Sequence, residues 1–276
     1  MARRRSKPAR RRPRRRGRSN SNALWYLAIL VCVALVVGVG FLAQKLIASG
    51  QVDEATLCHT GGALNATAVL LDLTDPLSPT QQARLKTILA NEVSGSSVDT
   101  MMALGVVSED PGNWGARFAK CKPATGEDAN GLYENPTIIA ERYAREFTDP
   151  IRDTLQAMLT GATENQSPIM EALQSLVSET PDFTRAKGHR KIIIVSDMLQ
   201  HSDNLSFYRG QGWDYFTQQN GAQRLAGNLS GVNVEILRIP RTGGKIPSAE
   251  ITEGFWTRYF DKQGSRPPSV SSLGDL

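Results

Sequence analysis

Cysteine and histidine are scarce in this chain, with three of each in 276 residues. Three Cys are too few for a small disulfide-stapled scaffold, and zinc-ligand spacing is absent because no C-x-x-C pair occurs and His59, His189 and His201 are scattered. No glycine-rich phosphate loop and no Ser/His/Asp or Cys/His arrangement is visible, so the catalytic classes built on them have no support. Acid is missing from one place in particular: residues 3–18 carry ten Arg and one Lys with no Asp or Glu. Those eleven cations leave 21 basic against 27 acidic side chains elsewhere. The net charge of +5 and the pI of about 9.2 therefore describe a tail, not a nucleic-acid-binding fold. A hydrophobic content of 40% with 24 Gly and 14 Pro is ordinary for a globular protein and excludes mostly disordered, collagen-like and multi-span membrane classes.

Residues 23–43, ALWYLAILVCVALVVGVGFLA, are uncharged throughout. At ~1.5 Å per residue such a helix reaches across the ~30 Å hydrocarbon core of a bilayer. Trp25 and Tyr26 at its start and Lys45 beyond its end suit the headgroup level. The run is longer than a signal-peptide apolar region and ends without a small-x-small cleavage site, so it is expected to stay as an anchor. The Arg-rich tail, residues 1–22, then holds the N-terminus in the cytoplasm by the positive-inside rule, in an inner or plasma membrane. The rest is placed in the periplasm or outside the cell. The tail is also suited to gripping anionic lipid or nucleic acid on the cytoplasmic side. Cys32 falls in the anchor, whereas Cys58 and Cys121 lie on the exported side, where thiols are normally oxidised. They suggest one disulfide, the alternative being two unrelated buried thiols.

Residues 44–64 read as a linker. The short apolar run 67–71 has the look of a strand buried on both faces. Ser78-Pro79 then starts a helix with Leu85, Ile88, Leu89 and Val93 on one face. A strand is expected over 98–107, a Gly/Asn/Asp/Pro-rich insertion over 108–136, and helix over 138–159, broken near Asp149-Pro150, and over 168–177. Residues 191–197, KIIIVSD, are the clearest buried strand. A weak helix at 217–226, a strand at 232–239 and an aromatic helix face of Ile251, Phe255, Tyr259 and Phe260 follow. Residues 263–276 read as a disordered tail. Strands alternating with helices predict an α/β domain over 65–262: a mostly parallel central sheet covered by helices on both faces, with ligands at the carboxyl ends of the strands.

Both of the best strands end in acid, VLLDLTDPLS at Asp72 and IIIVSDMLQHSD at Asp197, and between them NQSPIMEAL places Ser167 just ahead of a helix. Carboxylates and hydroxyls gathered at strand mouths form a hard-oxygen set suited to Mg²⁺ or another divalent cation. In these motifs the chain resembles a von Willebrand factor A (vWA) domain, over roughly residues 65–262. The resemblance implies a vWA/Rossmann-like fold and a metal-ion-dependent adhesion site at Asp72, Thr74, Ser167 and Asp197. The family's third position in the first motif falls on Pro76, which has no hydroxyl, so a ligand is missing unless Asp75 or water substitutes. It also implies a non-enzymatic role, docking a protein partner on the exported side.

Each of these residues has a plainer alternative. Ser167 before Pro168 suits a helix N-cap, and Asp72, Asp75 and Asp197 suit turns. Asp72-Leu73-Thr74 after an apolar strand also resembles the nucleophile loop of haloacid-dehalogenase-like phosphohydrolases, with Asp197 and Asp203 as a Mg²⁺-binding pair. In that comparison Thr74 stands where the usual second acid would be, and no Lys is placed to neutralise a phosphoaspartate. A scaffold with a vestigial site is the third expectation.

Overall fold

The computed structural model describes residues 21–49, 51–131, 134–161, 164–225, 227–241 and 249–274. Nearly all of the Arg-rich tail lies outside them. Two compact units result, divided after Ala48.

The first unit's described part is one long helix, α1 (Ser21–Ser49). Its side chains are described over 25–41 and are all exposed, Cys32 included. That stretch alone measures about 25 Å at ~1.5 Å per residue. Among the described residues no helix is long and apolar enough to cross a membrane.

The second unit runs β1 (Asn65–Leu71), α2 (Pro79–Gly95), β2 (Thr100–Val106), β3 (Phe118–Cys121), α3 (Pro136–Tyr143), α4 (Asp149–Leu159), α5 (Ile169–Glu179), β4 (Arg190–Ser196), α6 (Trp213–Gln218), α7 (Gly221–Arg224), β5 (Asn233–Arg238), α8 (Ala249–Lys262) and β6 (Ser269–Ser272). The strands form one sheet in the order β3-β2-β1-β4-β5-β6. Every neighbouring pair is parallel except β2 with β3. This is the doubly wound α/β arrangement, and its strand order reverses between β1 and β4.

Burial of both faces explains why β1 over 68–71 and β4 over 192–195 are apolar without a break. Ala66, Ala68 and Leu70 of β1 and Ile192 and Ile194 of β4 face a core shared with Ile169, Leu173 and Leu176 of α5 and the buried aromatics of α8. Val69, Leu71, Ile193 and Val195 face the opposite core, against Leu85, Leu89 and Val93 of α2 and Phe147. α2 starts where its sequence says it should. Ser78 accepts from the Gln81 N–H at 3.2 Å, the Gln81 side chain accepts from the Ser78 N–H at 2.9 Å, and Pro79 opens the first turn. The expected break in the next helical stretch is a single π-turn, Ala144–Thr148, just ahead of Asp149-Pro150.

Three boundaries differ from the sequence expectation. The region read as linker begins inside α1, and its later part folds onto the domain, with Leu57, Cys58 and Ala63 buried. The insertion contributes β3, an antiparallel edge strand. Residues read as a disordered tail include β6, which pairs with β5 from Glu235↔Ser269 to Arg238↔Ser272. Cys58 and Cys121 are joined in a disulfide with Cα atoms 4.8 Å apart, tying the segment before β1 to the end of β3.

Candidate functional site

At the point where the strand order reverses, β1 and β4 lie side by side in register, Leu71 opposite Val195, and the Asp72 N–H donates to the Val195 carbonyl at 2.8 Å. Asp72 and Ser196-Asp197 therefore leave the sheet together. Asp72 is 3% exposed and both its carboxylate oxygens are engaged. Oδ1 accepts from the Thr74 hydroxyl at 2.8 Å and the Thr74 N–H at 3.3 Å. Oδ2 accepts from the Ser167 hydroxyl at 3.0 Å and the Ser196 hydroxyl at 2.7 Å. One carboxylate thus gathers hydroxyls from three separate stretches of chain, and such charge-assisted bonds are roughly twice as strong as neutral ones.

Ser167 reaches Asp72 because its loop is clamped to the loop after β4. The Ser167 and His201 backbones exchange two N–H to carbonyl bonds, each 2.8 Å. A buried network seconds the clamp: the Glu171 carboxylate of α5 accepts from Gln200 at 2.9 Å, Ser202 at 2.7 Å and Asn204 at 2.9 Å. α5 itself begins at Ile169 with Pro168 before it and no side-chain cap, so the Ser167 hydroxyl serves Asp72 and not the helix.

Asp197 has other partners. Its Oδ1 accepts the Leu199 N–H at 2.8 Å, the local turn expected of such an Asp, and its Oδ2 accepts Nε of Arg241 at 2.7 Å. The same guanidinium pairs with Asp75. Between Asp197 and Leu199, Met198 takes a left-handed backbone, φ 65°, a conformation sterically costly for a residue with a Cβ. It is fixed by its N–H on the Ser196 hydroxyl at 2.7 Å and by its carbonyl, which accepts Trp256 Nε1 at 2.8 Å. Burial, with the Asp72 charge second, raises the Asp197 pKa above its ordinary value; the Leu199 N–H and Arg241 only partly offset this. Burial opposes the Arg241 cation, but Asp197, Asp75 and Asp72 outweigh it and hold its pKa up. The half-exposed Tyr208, edge-on to His201 with centroids 5.4 Å apart, has its phenol pKa raised by burial and then by Asp197.

The five residues marked in the sequence, Asp72, Thr74, Asp75, Ser167 and Asp197, are thus brought to one end of the sheet. Two more belong with them. Ser196 was hidden as the last letter of a buried strand. Arg241, three residues beyond β5 and next to Pro240, carries no sequence signal beyond its place after a strand. The donor chemistry matches a divalent cation in type, all hard oxygens, but the arrangement does not fit a bound one. Arg241 sits on two of the three carboxylates, and hydroxyls occupy both oxygens of the third.

No protein-family model and no curated protein sequence matches the chain. Among solved structures it is similar to an aerotolerance-related membrane protein from Bacteroides fragilis NCTC 9343, at 12% identity and a TM-score of 0.34, covering 76% of this chain and 91% of that one. It is also similar to a von Willebrand factor type A protein from Catenulispora acidiphila, at 10% identity and a TM-score of 0.39. That match covers 77% of this chain and spans only 39% of the other.

Proposed function

We propose that this is a membrane-anchored docking protein whose exported vWA-like domain binds a protein partner at the carboxyl mouth of its sheet. The observation that carries this reading is the convergence of Asp72, Thr74, Ser167, Ser196 and Asp197, from three separate loops, at the switch point where open α/β sheets bind their ligands. Export is supported by the Cys58–Cys121 disulfide, since such bonds persist in oxidising compartments and are rare in the cytosol. Anchoring rests on the sequence, whose uncharged run 23–43 is longer than the stretch of α1 with described side chains, residues 25–41. The Arg-rich tail sets the orientation in this reading, and anionic lipid is its ligand at the membrane face.

The phosphohydrolase reading is weaker on the geometry. A nucleophilic carboxylate needs an oxygen that phosphorus can approach, whereas Asp72 is 3% exposed and accepts hydrogen bonds on both oxygens. The neighbouring cation is Arg241, engaged by two other carboxylates.

Site-directed photo-crosslinking in intact cells tests docking. A photoreactive residue in place of Tyr208, beside the cluster, should give a discrete adduct, and the same residue in place of Asn91, on α2, should not. Absence of an adduct at 208, or equal adducts at both positions, would sink the proposal. Labelling of Cys58 and Cys121 by an impermeant thiol reagent only after reduction would agree with export, and labelling confined to lysed cells would refute it.

A further inference from the structure

We propose that Arg241 is the resident cation of the site, a positive charge tethered to the chain that stands where a divalent ion would, so that the site is built to work without metal. This goes beyond the docking reading and does not depend on it. Three loops meet at the guanidinium: Asp75 from the β1–α2 loop, Asp197 from the end of β4, and Arg241 itself from beyond β5. The Asp197 side chain is 6% exposed and that of Arg241 is 26% exposed. The buried Asp197 carboxylate, which also feels the Asp72 charge, calls for a cation beside it, whereas the Asp75 side chain, 56% exposed, is the guanidinium's solvated second partner. A guanidinium supplies that charge with directed donors, Nε to Asp197 at 2.7 Å and an Nη to Asp75, and a carboxylate in its fork is no longer free for a hard cation. A metal would have to displace a side chain that is always charged and covalently present at the site.

The test uses the full-length protein in nanodiscs, with Mn²⁺ as the probe and thermal melting and calorimetry as readouts. Wild type should melt identically in EDTA and in Mn²⁺ and show no heat of binding. Arg241→Lys, which keeps the charge, should fold and be equally indifferent to Mn²⁺. Arg241→Gln should melt lower in EDTA and bind one Mn²⁺, and at ~100 times its Kd the ion should raise the melting temperature by about 5–10 °C. If Arg241→Gln does not fold in EDTA, the triple variant Asp75→Asn/Asp197→Asn/Arg241→Gln, with the charges removed together, should fold without any cation. The proposal is overturned if wild type is stabilised by Mn²⁺, if a folded Arg241→Gln is unmoved by it, or if the triple variant fails to fold. No partner is present in these measurements, so their failure would leave the docking reading standing.

Discussion

Asp197 is subject to two opposing pairs of influences. Burial and the neighbouring Asp72 favour the protonated carboxyl, and the Leu199 N–H and Arg241 favour the carboxylate; the first pair wins, and the folded pKa lies above the ordinary value of 3.8. Below that ordinary value both folded and unfolded chains carry the proton and its stabilising contribution is complete. As the pH rises through the folded pKa, the unfolded chain has already released the proton and the folded chain must follow, so the contribution is lost. Asp197→Asn has no such proton. The melting temperature of wild type relative to Asp197→Asn is therefore expected to fall as the pH rises above the ordinary value of 3.8, and a flat or rising difference would contradict the assignment. At this scale the sequence disclosed the carboxylates and hydroxyls and concealed their counter-charge. Asp72, Thr74, Ser167 and Asp197 stand at strand ends or before a helix, places that periodicity marks. Ser196 reads as one more strand residue, and Arg241 comes to the cluster through tertiary folding that no local pattern encodes.

Elements are fastened to one another by a few buried polar contacts, and Lys122 is a clear case. It is 5% exposed, just after β3, and its ammonium donates to the Ser94 carbonyl at 2.9 Å and the Ser96 carbonyl at 2.6 Å at the end of α2. A cation there satisfies carbonyls the helix leaves open and complements its dipole. Burial holds the Lys122 pKa below its usual value, the Asp128 charge offsetting this in part. Lys122→Met keeps the stem and orphans the carbonyls, so a loss of about 1.5–3 kcal/mol is expected in denaturant titration, with faster hydrogen exchange in the last turn of α2. An unchanged midpoint would mean that water replaces the ammonium at no cost. The long elements were legible from the sequence because β1, β4 and α2 bury repeated faces. β3 and β6 were not, since each is only four residues long and the exposed Ser269–Ser272 owes its strand form to the β5 edge beside it.

For the molecule as a whole, the fold class could be read from alternating strand and helix patterns, and its strand order could not, because order depends on which edges meet after collapse. The sequence also fixed no partner for either cysteine on its own; only the assumed compartment paired them. The disulfide closes a loop between positions 63 apart in the chain. On the chain-entropy account, loss of a bond of that span destabilises by about 4 kcal/mol. Cys58→Ser/Cys121→Ser should show that loss in the denaturant midpoint of the α/β domain, and equal midpoints would show that the loop is confined without it.

The same bond has a mechanical meaning. Tension applied between the chain ahead of Cys58 and the chain beyond β3 divides at Cys58: one path runs on into β1, the other crosses directly to the end of β3. The chain between them, with β1, α2 and β2, is shunted out of the stretched path. At ~3.3–3.6 Å per extended residue, about 200 Å of slack stays locked while the bond is intact. Along that line the oxidised domain is therefore short and stiff, and reduction frees the same chain to extend.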